Sequence, residues 1–392
     1  MRNIWKRAVA GMLALAMCLS FAGCYDENKT WAARQGDDTM PIGGYIYYLY
    51  SAYSEAMQKV DTETQVLKAE IDGEDATQWI KDRAMSYLQS YYYIGDKFDE
   101  YGLELTQEDQ DTISSTTDSF WAYYQSMFED ELGIAKSSFN QAYSQYNAKY
   151  QKVMKAMYDE GGELALADNE LKDYFTDNYY RYEYFFVSLT TTNDDGESET
   201  LSADEQDALK EELQSYVDKI NSGDMTLSEA ADEYAADHDT DSTYYKPSAA
   251  KGDNITSELV TALDSVSEGK AAVASTSNAL YVICKLSIDD AYTDEVEASD
   301  SRYISLLSDL KGEEFSDYVM EQAASVSDVE INTAAINSVS LSSMVDDSNK
   351  FGTVSETEDE TEDGDSSSTE ESTSSESSTS EESSASESSA EE

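Results

Sequence analysis

Proline is almost absent from this chain: of 392 residues only Pro41 and Pro247 are proline. Long stretches therefore lack the residue that removes a backbone donor and breaks a helix, and extended helices are the first expectation. Histidine occurs once, as His238, which excludes any site that needs a pair of imidazoles. Cysteine occurs three times, at Cys18, Cys24 and Cys284. Cys18 falls in the N-terminal leader and Cys24 directly after it at a lipidation site, so Cys284 has no partner for an internal disulfide and the fold must rest on its core. Cys284 sits in the apolar string Leu280-Tyr-Val-Ile-Cys284, where its expected role is a small buried hydrophobe. Positive charge is also scarce, with 25 Lys and Arg against 82 Asp and Glu, a formal net charge of -57. That field repels a phosphate backbone and excludes nucleic acid as a partner, while basic or unfolded polypeptides remain compatible with it. No P-loop, zinc pattern, dinucleotide fingerprint or serine-hydrolase elbow is present, and no cofactor is expected. The acidic run around His238 lacks the glycine and closing glutamate of an EF-hand loop, so no metal is expected either. His238 itself closes a helix among Asp237, Asp239 and Asp241, a position that favours a basic ring without any catalytic role.

Only one long apolar run exists, Ala8 to Phe21, about 14 residues against the roughly 20 needed to span a bilayer. It follows Arg2, Lys6 and Arg7 and ends in Phe21-Ala-Gly-Cys24. A charged head, an apolar middle and small residues before a cysteine form a lipoprotein signal peptide. The pattern predicts removal of residues 1–23, lipidation of Cys24, and a chain tethered by that lipid to the extracytoplasmic face of a bacterial cell membrane. Residues 24–39 are expected to be a polar tether. Residues 346–392 are nearly all Ser, Thr, Glu and Asp, too poor in apolar surface to offset ordering entropy, so a disordered tail is expected.

Between them, helical periodicity recurs. Residues 43–60 place Ile46, Leu49, Tyr50, Tyr53 and Met57 on one face, and 75–100 carry Ile80, Leu88, Tyr92 and Phe98. A third helix is predicted from an N-cap at Thr106, with Ile113, Phe120, Tyr124 and Phe128 inward. A fourth is marked by Phe139, Tyr143, Tyr146, Tyr150, Val153 and Met157, and a short fifth covers 168–178. The pattern then changes. Tyr182 to Leu189 reads as a strand, Ser202-Ala-Asp-Glu205 and Thr226-Leu-Ser-Glu229 as capping boxes of two helices, and 256–263 as a third. Strands follow near 271–275 and 279–287, and a last helix over 302–325. The fold class expected is α+β: a helical lobe from 40–180, completed by 291–345, with an α+β domain at 181–290 inserted between.

Asp168-Asn-Glu-Leu-Lys-Asp-Tyr-Phe175 resembles the helix that leads into the first strand of a parvulin-type prolyl isomerase. Ser222-Gly-Asp-Met-Thr-Leu-Ser-Glu-Ala-Ala-Asp-Glu-Tyr234 resembles that domain's turn and following helix. Val266-Ser-Glu-Gly269, with Leu280-Tyr-Val-Ile-Cys-Lys285, resembles its closing turn and strand. In this order the segments are similar to PrsA-like extracytoplasmic foldase lipoproteins, the parvulin and SurA-type chaperone family, with 43–160 and 302–333 as the flanking chaperone lobe. The resemblance implies unfolded or newly secreted polypeptides as partners. It also implies an apolar pocket under two histidines, where an X-Pro bond with a barrier near 20 kcal/mol is turned. Here Tyr184 stands at the first histidine position and Val282 at the second, and Tyr244-Tyr-Lys-Pro-Ser-Ala-Ala-Lys-Gly252 replaces the family's glycine-rich loop. Phe186 and Tyr281, on the same two strands, are the candidate peptide-binding residues. The expectation is a degenerate parvulin whose isomerase activity is weak or absent, so whether the chain is an enzyme stays open. An active isomerase using Tyr184 is the alternative, and a solute-binding or adhesion lipoprotein a further one. Thirty tyrosines suit either plain packing on helical faces, as at Tyr143, Tyr146 and Tyr150, or adaptable contact with extended chains, with sugar stacking a third reading. Runs such as Tyr91-Tyr92-Tyr93 are expected to send some rings to the surface, since consecutive residues of a helix point in different directions.

Overall fold

The computed structural model describes residues 30–61, 65–192 and 198–344. The leader, Cys24 and the Ser/Glu tail lie outside the described residues. Among those described, no helix is long and apolar enough to cross a membrane.

The described chain opens with a hairpin, β1 (Trp31–Gln35) and β2 (Asp38–Pro41), turned at Gly36 with φ +57°. α1 (Ile42–Lys59) follows directly. A second small hairpin, β3 (Glu70–Ile71) and β4 (Glu74–Asp75), leads into α2 (Ala76–Glu100). There the Asp75 carboxylate accepts the Gln78 N–H at 3.2 Å and caps the first turn. α3 (Gln107–Gln125) starts at the expected Thr106, which forms a reciprocal capping box with Asp109 and ends in a π turn, Ser126–Glu131. α4 (Lys136–Phe139), a second π turn (Asn140–Gln145) and α5 (Tyr146–Tyr158) run on without a break, and α6 (Glu170–Asn178) follows. The middle of the chain holds β5 (Tyr179–Tyr180), β6 (Tyr182–Ser188), and a hairpin of β7 (Thr190–Thr192) and β8 (Ser198–Thr200). α7 (Ala203–Ser222) and α8 (Leu227–Asp237) each begin with the capping box expected of them, and Gly223 ends α7 at φ +86°. Then come β9 (Ala250–Lys251), α9 (Ser257–Asp264), β10 (Ala271–Ser275) and β11 (Ala279–Lys285). The chain returns through α10 (Ile288–Ala291) and α11 (Asp300–Ala323) to β12 (Glu330–Ile331) and α12 (Thr333–Ser338).

The fold is α+β. One core joins α1, the first half of α2, α4 and α12, with Ile46, Leu49, Tyr53, Ile80, Leu88 and Phe139 buried together. A second joins the C-terminal half of α2 to α5, α6 and α11 through Ile94, Met154, Phe175, Leu307 and Phe315. α11 thus completes helical packing begun more than 200 residues earlier, and Ser90 Oγ reaches Met320 Sδ at 3.1 Å. The remaining two clusters lie on opposite faces of the sheet β10-β11-β6.

Three expectations are corrected here. Residues 31–39 are not tether: β1 is the middle strand of a sheet, paired with β2 and with β12 (Ala33 opposite Ile331). Ala32, Ala33 and Met40 are fully buried, and Asn332 N–H donates to Ala32 O at 2.8 Å. Small residues paired with a strand 300 positions away leave no periodic signal. Tyr91, Tyr92 and Tyr93 are all buried, because α2 is covered by α1, α5 and α11 on several sides. Conversely Phe120 and Tyr124 lie outward. The buried stripe of α3 runs Ile113, Thr117, Trp121, and Thr117 holds its inward place by donating to Ile113 O and bonding Ser144, each at 2.8 Å.

Candidate functional site

Strand alternation divides β6 between two environments. Tyr182, Tyr184 and Phe186 face one side, and Glu183, Phe185 and Val187 the other. Residues opposite one another in an antiparallel pair share a face, so Tyr184 lies beside Ile283 and Phe186 beside Tyr281. α9 covers the near end of this face with Leu259, Ala262 and Leu263, packed on Tyr182, Ile283 and Ala274. The far end remains half-open.

A loop residue completes the site. Tyr184 and Tyr245 exchange backbone hydrogen bonds at 2.9 and 2.7 Å. Thr243 Oγ1 accepts from the Phe186 N–H at 3.1 Å and donates to the Phe186 carbonyl. These bonds clamp the loop along the outer edge of β6 and lay the Tyr245 ring over the face. Tyr245 stacks on Tyr184 at 5.5 Å and on Phe186 at 6.3 Å. Tyr281 lies 5.6 Å from Tyr184 and 5.7 Å from Phe186, and Tyr182 stacks 5.9 Å from Tyr184. The result is one aromatic floor, with Tyr245 still 53% exposed at its rim. Among the described residues the hydroxyls of Tyr184, Tyr245 and Tyr281 have no hydrogen-bond partner, which leaves them available to a ligand. Burial, then the neighbouring Tyr281 and Tyr245, push the Tyr184 pKa up, so the group is a neutral donor rather than a base.

Val282 does not belong to this site. It is fully buried on the opposite face, against Phe185, Leu213 and Val217, because a shift of one residue along a strand exchanges faces. The residue that does stand beside Tyr184 is Ile283, which is apolar. Phe186 and Tyr281, by contrast, lie opposite one another on the face that carries Tyr184. His238 is remote from the aromatic floor. It caps α8 in the helical layer behind the sheet, its ring stacked 4.2 Å from Tyr234 and its Nε2 2.7 Å from Glu212 Oε1. Cys284 is buried on the same rear face, and burial pushes its thiol up to about 11, which leaves it protonated and inert.

Sequence reasoning did not single out Tyr245. Its signal was present as the aromatic pair Tyr244-Tyr245 in the loop that replaces the glycine-rich segment. The two rings then part company: the Tyr244 hydroxyl turns back to Glu183 at 2.8 Å. A second aromatic surface lies in the helical lobe. Tyr123 is 81% exposed and sits 4.7 Å from Tyr124, which stacks on Phe120, itself 5.1 Å from Tyr143. Two cavities, of about 360 and 570 Å³, lie away from the sheet face, one lined by Tyr158, Asp168 and Tyr303 and the other by Gln110, Thr117 and Asn140. Among the described residues no cluster of His, Cys, Asp and Glu could hold a metal ion.

Solved structures similar to this chain include PrsA foldases. One, from Lactococcus lactis, is 13% identical, with 81% of this chain and 99% of that chain covered at a TM-score of 0.35. Another, from Streptococcus pneumoniae, is 12% identical over 70% of this chain and 97% of that chain, with a TM-score of 0.36. The peptidylprolyl isomerase PrsA of Bacillus anthracis is 13% identical over 63% and 99%, with a TM-score of 0.22. No protein-family model matches the chain. No curated protein matches it either. At these scores the likeness carries no functional weight, which rests on this chain's own residues.

Proposed function

We propose that this protein is an extracytoplasmic chaperone, tethered through Cys24, that holds unfolded secreted polypeptides and has weak or absent prolyl isomerase activity. The observation that carries the reading is the aromatic floor of Tyr182, Tyr184, Phe186, Tyr245 and Tyr281 with its unpartnered hydroxyls. Such rings offer apolar area and a hydrogen-bond donor at little entropic cost, and they accept many sequences rather than one. The exposed rings of Phe120, Tyr123 and Tyr124 supply a second contact of the same chemistry. Isomerisation asks for more. The twisted amide must be stabilised better than the planar one, and the position beside Tyr184 is filled by Ile283, which has no polar atom to offer. Nothing at the floor is a nucleophile or a base near neutral pH, so the face binds without making or breaking bonds.

Two assays on the mature chain test this together. Suppressed aggregation of a reduced, unfolded client, with proline-limited refolding no faster than the spontaneous rate, is the expected result. A refolding rate above background that falls in Tyr184→Phe would establish a working isomerase instead. No effect in either assay would sink the chaperone reading. Lipidation is tested separately: Cys24→Ala should release the protein from membranes into the medium, and retention in the membrane fraction would rule the lipid tether out.

A further inference from the structure

The sheet β10-β11-β6 has two edges, and among the described residues only one of them is closed. Along β6 the loop bonds of Thr243 and Tyr245 occupy the outward backbone groups. Along β10 the arrangement differs. Ala271 N–H donates to Asn221 Oδ1 at 2.8 Å, and Asn221 Nδ2 donates to Ala271 O at 3.0 Å. The Asn221 amide therefore takes the place of a neighbouring strand's peptide group. On the inner side Lys285 N–H donates to Lys270 O at 3.1 Å, and Thr276 N–H to Ala279 O at 3.0 Å. Even-numbered residues of β10 thus bond toward β11, and odd-numbered ones point away. Beyond Ala271, the outward groups are the N–H and C=O of Val273 and Ser275. Neither residue has a hydrogen-bond partner on that side among the described residues. Ser275 is exposed and Val273 half-buried.

Natural edge strands are usually blunted by a charge, a proline or a bulge, because unpaired backbone groups recruit other chains. β10 has none of these, and its pairing with β11 runs from Ala271 to Ser275 without a register shift. We propose that this edge takes up a short extended segment of an unfolded, Lys- or Arg-bearing polypeptide as a fourth strand, stopped at one end by the Asn221 amide. The charge of the occupant follows from the flanks. α7 and α9 pack on the two faces of the sheet, and their exposed Asp207, Glu211, Asp218, Glu258 and Asp264 outnumber Lys210 and Lys219 of α7 and Lys270 beside β10. With a net charge of -57, a second copy of the chain is repelled from the same edge. The identity of the occupant rests on the polypeptide-binding reading above, but the surface is distinct from the aromatic floor.

The probe is a fluorescein-labelled heptapeptide, Lys-Val-Thr-Val-Thr-Val-Lys, with a copy N-methylated at alternate residues, both titrated into the full chain. Ser275→Pro and Val273→Pro each delete an outward N–H while sparing the bonds to β11. Loss of backbone hydrogen bonds should weaken binding by about tenfold in Ser275→Pro, and equally for the N-methylated peptide on the unaltered protein. Glu313→Gln, exposed on α11 and outside both surfaces, should bind the parent peptide within about twofold. Should a proline variant fail to fold, the N-methylated peptide decides. The proposal is overturned if the parent heptapeptide is not bound, or if proline variants and N-methylation leave its affinity unchanged. It is also overturned if sedimentation shows a dimer that Ser275→Pro abolishes, for then the edge pairs with a second copy. Binding lost in Tyr281→Ala but kept in Ser275→Pro removes the edge and leaves the aromatic floor as the polypeptide site. Edge-dependent peptide binding without any suppression of aggregation supports the edge and removes the holding function.

Discussion

At Tyr281 and Phe186 a ring contributes contact area, and at Tyr184 a hydroxyl held neutral by its surroundings, so the three residues fail differently when altered. Phe186→Ala or Tyr281→Ala should weaken client holding about two- to tenfold, the range set by about 0.5–1.5 kcal/mol per aromatic contact. Tyr184→Phe keeps the ring and removes only its hydrogen-bond donor, so holding should weaken by about two- to threefold, at the low end of that range; competition with a labelled unfolded client measures all three. Glu163 supplies a pH-dependent contribution. Its carboxylate accepts from Lys97 Nζ at 2.6 Å and from the Tyr318 hydroxyl at 3.1 Å, joining α2 to α11. The Lys97 bond pulls its pKa below the ordinary 4.5, against some opposing desolvation, with the Tyr318 bond adding to the pull. A depressed folded-state pKa means stability that is fully present above the unfolded value and lost as pH falls through the folded one. Glu163→Gln should therefore lower the thermal midpoint at pH 7, and the gap from wild type should narrow as pH falls below 4.5 and through the lowered folded-state value. A gap that does not narrow with acid would assign the effect to packing instead. The candidate floor was half legible from sequence. Tyr184, Phe186 and Tyr281 declare themselves by strand alternation, whereas placing Val282 beside Tyr184 required a register that is set only by the pairing of β6 with β11.

The elements that could be read along the chain are those whose signals are local. Thr106, Ser202 and Thr226 all cap helices with the acidic partner three residues on, and Gly223 stops α7 in the left-handed region where glycine is unstrained. Thr226→Ala should accordingly cost about 1 kcal/mol in denaturant unfolding. What escaped were pairings across long separations: β1 with β12, the loop at Tyr245 with β6, and β9 with β5. None needs a hydrophobic run, because the partner supplies the hydrogen bonds and small residues such as Ala32 and Ala33 suffice inside. Deleting residues 30–35 removes the middle strand of a sheet and should destabilise the helical lobe, read as early proteolysis of α1. A lobe indifferent to that deletion would restore the segment to a tether. Phe315→Ala tests the other end of the same lobe. This ring is fully buried between Tyr150 and Tyr158, at 4.8 and 6.0 Å, so its loss should cost about 3–5 kcal/mol.

For the molecule as a whole, the excess of 82 acidic over 25 basic residues acts on every encounter, whichever surface finally holds the client. A field of one sign raises the local concentration of oppositely charged chains and speeds their arrival, and salt removes it within about 10 Å at 0.1 M. The aromatic floor and the β10 edge, by contrast, hold through apolar contact and backbone bonds, which salt screens little. Capture of a basic unfolded client should thus slow by an order of magnitude or so between about 0.02 and 0.5 M salt, with dissociation nearly constant. An acidic client of equal hydrophobicity should show little change, or the opposite trend, because its approach is hindered at low salt. Stopped-flow fluorescence with a matched basic and acidic pair separates the two rates. Salt acting mainly on dissociation would place charged groups inside the contact itself, and neither the floor of Tyr184, Phe186, Tyr245 and Tyr281 nor the groups of Val273 and Ser275 would then account for holding.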